Sequence, residues 1–77
     1  MEKHGFDFQV FYKGQFYAFE CKETHAQRLP LSNIKTHQLI ELLAVQQQGG
    51  EAFILCHFVR EESMVMFPIR AVADARR

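Results

Sequence analysis

Two carboxylates and an amine stand close together in the first third of the chain: Asp7, then Glu20, then Lys22. A hairpin turning through Lys13-Gly14 sets Tyr12 opposite Gln15 and Asp7 opposite Glu20, with their Cβ atoms ~5 Å apart. Lys22 falls on the same face, opposite Gly5, which has no side chain to crowd it. Carboxylates so placed repel by roughly 3 kcal/mol at an effective dielectric of 20. A hard divalent cation, Mg²⁺ or Mn²⁺, relieves that repulsion and takes oxygen ligands of this kind, with the main-chain carbonyl of Cys21 as a further donor. A metal there lowers the pKa of a bound water and stabilises charge on a phosphoryl group. Lys22 then orients or activates the water, or stabilises the developing charge. The competing reading is a solvated hairpin surface. Against it, the same face carries Phe11, Phe16 and Ala18, and a solvated face pairs opposite charges across strands.

The elements that must hold these groups follow from periodicity. Residues 6–12 alternate, with Phe6, Phe8, Val10 and Tyr12 on one side, which predicts a strand. Residues 15–22 predict its partner. The face bearing Phe8 with Phe19 and Val10 with Tyr17 is expected to be the core face, and burial then fixes the register. Lysine is a poor first turn residue, so a bulge shifting the pairing by one is the alternative. Pro30 argues against helix just before it. Ser32 or Asn33 is expected to cap a helix over residues 34–48, which Gly49-Gly50 stops. Residues 52–58 are nearly all apolar and predict a central strand covered on both faces. Residues 64–67 predict a fourth strand ended by Pro68, and residue 69 onward can begin another helix. The expected order is β-β-α-β-β, a small mixed α/β sheet in a single domain over residues 1–77.

Composition narrows the class. The 77 residues are 48% hydrophobic and 13% aromatic, and nine basic residues balance nine acidic ones. That excludes a disordered tail, which needs low hydrophobicity and high net charge. Zero net charge also means that nucleic-acid contact must rest on local patches. No apolar run approaches a membrane span, and the N-terminus lacks a signal-peptide stretch, so a cytoplasmic location is expected. Cys21 and Cys56 lack metal-type spacing and are expected to be buried free thiols. None of the four histidines forms a zinc pattern. So small a chain buries only about 60% of its unfolded surface. Apolar surface is therefore expected to remain, covered by a second copy or by more of a longer protein.

The pattern Gly5-x-Asp7 followed by Glu20-Cys21-Lys22 resembles the D-(x)n-E-x-K signature of the PD-(D/E)XK nuclease superfamily. Within it, the ordered stretches DFQVFYKGQFYAFECKET, PLSNIKTHQ and QQGGEAFIL resemble the RecU-type Holliday junction resolvases over roughly residues 5–68. The small VRR-NUC type of phage and repair nucleases resembles the hairpin too, but the PLSNI-x-x-HQ block fits the RecU type better. The resemblance implies a truncated restriction-endonuclease-like core and a metal-dependent endonuclease acting on branched or double-stranded DNA. By position, Asp7 and Glu20 become the metal-binding carboxylates, Lys22 the catalytic lysine and Gln38 the helix glutamine that faces the site. The helical spacing agrees, since Gln38 interrupts an apolar stripe of Ile34, Leu42 and Val45.

RecU-type proteins are longer, with an N-terminal helix that supplies another acid and basic segments that grip DNA. This chain starts almost on the first catalytic strand, where Glu2 is a weak substitute for that acid. Arg28, Lys35 and His37 are the candidate DNA contacts, with Arg60, Arg70 and Arg76-Arg77 behind them. Resolving a junction takes two cuts, so the resemblance implies a homodimer or higher homo-oligomer. A module that binds DNA or a partner without cutting is the alternative, as is a piece of a longer nuclease.

Overall fold

The computed structural model describes residues 8–77. Strand β1 (Phe8–Tyr12) turns through Lys13 and Gly14 into β2 (Gln15–Thr24). Both turn residues have positive φ, 51° and 78°, the turn whose twist matches paired strands. Lysine accepts the left-handed conformation here and no bulge forms. The register pairs Tyr12 with Gln15 and Phe8 with Phe19, as the turn length predicts. Asp7, Gly5, His4 and Glu2 lie outside the described residues.

Past β2, Thr24 closes a short turn by accepting a bond from the amide of Ala26 (3.0 Å). The chain makes a 3₁₀ turn at Leu31–Asn33 and enters α1 (Thr36–Gln47). The helix thus begins two residues later than expected, with Lys35 rather than Ser32 or Asn33 at its N-cap. The reason is local: Asn33 donates to the Pro30 carbonyl and Ile34 to that of Leu31, closing a 3₁₀ turn that holds Ser32 and Asn33 within it and ahead of the helix. Gln38 then satisfies the exposed helix start by accepting from the Lys35 amide (3.1 Å). At the other end, Gly50 donates to Val45 and Gly49 to Gln46, both at 3.0 Å, with Gly49 at φ 96°. A Cβ on Gly50 would come within 2.7 Å of Val45, so this glycine also lets α1 settle against β2.

Strand β3 (Glu51–Phe58) runs parallel to β2, and β4 (Ser63–Pro68) returns antiparallel before α2 (Ile69–Arg76). The strand order is β1-β2-β3-β4, a mixed four-stranded sheet. Both helices pack on one side, where Ala18, Ile34, Leu42, Ala52, Ile54, Ile69 and Val72 form the core.

Two expectations about faces are overturned. The helix-covered face is the one bearing Ala18 and Glu20, whereas Phe8 and Val10 remain 49% and 46% exposed. The parity was right but the side was wrong, because α1 and α2 carry their apolar residues to the face lined by small or short side chains at Ala18 and Ala52. Strand β3 is central in the sheet yet covered on one side only, and its burial alternates residue by residue. The leftover apolar surface that chain length implies is present: Tyr12, Met64 and Met66 are exposed as well. On this open side Phe8, Phe19 and Phe53 stack in a ladder, with centroids 5.2 and 4.8 Å apart. Cys56 is buried, but Cys21 sits exposed on the open side, contrary to the expectation of two buried thiols. Among the described residues, no helix is long and apolar enough to cross a membrane.

Candidate active site

Glu20 is an acidic residue inside the core layer, 4% exposed, between Ala18 and Lys22 on the covered face of β2. Its neighbour on β3 is Ile54, which is fully buried. A carboxylate there needs polar company, because desolvating an unpaired charge is costly. Helix α1 supplies it. Gln38 lies in the first turn of α1, one turn before the buried Leu42, so the side of the helix that packs on the core also delivers an amide to the sheet. Its Nε2 donates to Glu20 Oε1 at 3.0 Å. Because its Oε1 accepts from the Lys35 amide, the orientation of the side-chain amide is fixed by what surrounds it.

Lys22 stands two residues along β2, so strand alternation returns it to the same side. Its Nζ lies 3.9 Å from Glu20 Oε1 and donates to the main-chain carbonyl of Asn33 at 3.1 Å. The ammonium is therefore held more closely by the 3₁₀ turn than by the carboxylate. The two side chains are 6% and 19% exposed, which places the lysine at the solvent side of the pair.

Of the residues singled out from sequence, Glu20, Lys22 and Gln38 are thus brought together. Asp7 lies outside the described residues, and the strand that would carry it is described only from Phe8. Cys21 continues β2 between Glu20 and Lys22, with its side chain on the opposite, open face. Among the described residues, no three His, Cys, Asp or Glu side chains gather as a metal cluster. The oxygen chemistry of Glu20 and the Cys21 carbonyl nonetheless fits a hard cation better than a soft one. Arg28, Lys35 and His37 are exposed on the connection between β2 and α1 and on the first turn of that helix. Of the other cations, Arg76 donates to Thr36 Oγ1 (3.0 Å) and Arg77 pairs with Asp74 (3.1 Å).

Two contributors escaped the sequence reading. The Asn33 carbonyl and the Lys35 amide act through the main chain, whose role no side-chain type announces. The one available signal was Pro30 followed by Leu31-Ser32-Asn33, a stretch that favours a tight turn directly before a helix.

A four-stranded mixed sheet with two helices on one face is a small α/β fold, compatible with a truncated nuclease-like core. The family profile described as "Recombination protein U" matches residues 1–76, and the chain belongs to that family. It is 40% identical over 63 residues to the "Holliday junction resolvase RecU" of Lactococcus lactis subsp. lactis (strain IL1403), covering 80% of this chain and 30% of that one. The protein of the same name from Streptococcus equi subsp. zooepidemicus (strain MGCS10565) is 35% identical over 69 residues, 88% of this chain and 34% of its own. That from Ligilactobacillus salivarius (strain UCC118) is 35% identical over 63 residues, 80% and 30%. The chain spans about a third of the length of these curated relatives.

Proposed function

We propose that this chain is the catalytic core of a metal-dependent endonuclease acting on branched DNA, of the Holliday junction resolvase kind, working as a homodimer or larger homo-oligomer. The observation that carries the reading is the buried Glu20 carboxylate, met by the Gln38 amide and the Lys22 ammonium. Acidic residues are rarely buried this deeply, and here both an amide and an amine are brought to the same carboxylate oxygen.

In the proposed site, Glu20 with Asp7 and the Cys21 carbonyl holds Mg²⁺ or Mn²⁺. When bound, the ion supplies a water of lowered pKa and charge neutralisation at the phosphodiester. Gln38 keeps one carboxylate oxygen of Glu20 in a fixed direction. Lys22, anchored on Asn33, presents its remaining N–H groups toward the phosphate oxygens, where negative charge develops. Arg28, Lys35 and His37 surround this mouth, and the DNA backbone is proposed to lie across them.

The open side of the sheet is proposed as the surface where copies meet. Among the described residues its strand positions carry no lysine or arginine; its acidic groups are Glu23 and Glu51, and His57 lies against Glu23 (3.4 Å), so the face is poorly suited to a phosphate backbone. An aromatic ladder instead suits a second apolar sheet face.

The test compares branched and linear DNA with Mn²⁺, Mg²⁺ or chelator present. Cleavage of branched DNA with metal only, abolished by Lys22→Ala, supports the proposal. Cleavage that survives chelator or Lys22→Ala overturns it, and binding without cleavage in any metal points to a DNA-binding or assembly module instead.

A further inference from the structure

The site's two outer supports, the Asn33 carbonyl under Lys22 and the Lys35 amide under Gln38, belong to consecutive peptide groups. The residue between them is Ile34. Its backbone joins both peptide planes, and its side chain is 1% exposed, embedded in the core with Leu42, Ile54 and Val72. Ile34 is also tied from below, since its own amide donates to Leu31 at 3.1 Å to close the 3₁₀ turn. Leu31 in turn packs against that core. One buried side chain therefore sets where a carbonyl and an amide are presented, and these reach two different functional side chains.

We infer that Ile34 is a positioning residue, which fixes Lys22 and Gln38 relative to Glu20 through the two peptide groups that flank it. This rests on the reading of Glu20, Lys22 and Gln38 as a nuclease site. A rotation of the Ile34 backbone moves the Asn33 carbonyl and the Lys35 amide together, so it disturbs the ammonium and the carboxylate's amide donor at once. Ordinary core residues lack this leverage: Ile69, equally buried, packs in the same cluster, but its peptide groups appear in none of the site's hydrogen bonds.

The matched pair Ile34→Val and Ile69→Val removes the same methyl group from the same core. Both variants are expected to lose a similar few degrees of Tm and to remain folded, where Ile34→Ala risks unfolding so small a domain. Two readouts separate them. The side-chain amide resonances of Gln38, followed by NMR without metal, are expected to shift in Ile34→Val and to stay in place in Ile69→Val. Mn²⁺-dependent cleavage is expected to lose about tenfold in kcat in Ile34→Val, with KM for DNA held within about twofold, because displaced groups act in the transition state. Gln38 resonances unmoved in Ile34→Val, or shifted equally in both variants, overturn the inference. If the parent protein cuts no DNA, the nuclease reading fails, and the Gln38 resonances alone then decide whether Ile34 positions the pair.

Discussion

Glu20 and Phe19 are neighbours on one strand, yet they serve the two faces of the sheet in opposite ways. The covered face spends its burial on polar order: a carboxylate, an amide and an ammonium are registered by helix α1 and by the turn before it. The open face is apolar and uncovered, with three phenyl rings stacked across three strands. The contrast teaches that apolar residues do not by themselves mark the inside of a small sheet. What decides is which face has room for helices. Ala18 and Ala52, side by side on β2 and β3, let α1 and α2 approach closely, whereas a ladder of rings holds neighbours off.

The sharpest way to break the comparison is to change those neighbours separately. Glu20→Gln keeps the shape and removes the charge. Metal-dependent cleavage of branched DNA is expected to fall about a thousandfold, a loss of about 4 kcal/mol of transition-state stabilisation. Self-association is expected to be untouched. Retained cleavage in this variant would remove Glu20 from the chemistry.

Phe19→Ser asks the reverse question and should give the next largest effect. Two symmetry-related rings, each worth about 1.5 kcal/mol on burial, weaken association about a hundredfold when lost. Sedimentation equilibrium reads this directly, and an unchanged dissociation constant would take the open face out of any interface. Gln38 is then given the same treatment on the covered side. Gln38→Leu removes one donor to Glu20 and the side-chain acceptor of the Lys35 amide, at an expected cost of about 1–3 kcal/mol in chemical denaturation. A variant as stable as the parent would show that the bridge from helix to carboxylate contributes nothing to the fold.

Much of this contrast could be read from residue order, and the reasons differ by element. The hairpin register was legible because two turn residues leave a single in-phase pairing, and the alternation put Glu20 and Lys22 on one face whatever that face would be. Gln38 was legible as a polar break in an apolar stripe. The side to be covered was not, because strand alternation has a twofold symmetry that only the helices resolve. On β1 and β2 the larger residues misled, since bulk argues for burial while packing favoured the small ones. The 3₁₀ turn was hidden for another reason. Ser32 and Asn33 are good cap residues, and only the backbone bonds to Pro30 and Leu31 show that they sit in a separate turn before the helix.

The smallest effect concerns the two thiols, which divide between the same two faces. Cys56 is buried on the covered side, and desolvation pushes its thiol above the ordinary range, whereas Cys21 is exposed. The sign of the consequence is fixed. The folded state holds the Cys56 proton to higher pH than the unfolded chain does, so its contribution is whole below the unfolded value of about 8.5. As pH rises from there toward the folded value, the unfolded state gives up a proton that the folded state keeps. Stability then declines by up to about 1.4 kcal/mol per pH unit from this group. The measurement is a difference between the parent and Cys56→Ala, followed by urea unfolding from pH 7 to 10, so that what the two proteins share cancels. The alanine variant is expected to start less stable, having lost buried sulfur contacts, and to close the gap as pH rises. Parallel curves would mean that the thiol ionises as easily inside the sheet layer as outside, and that this face is wetter than its packing implies.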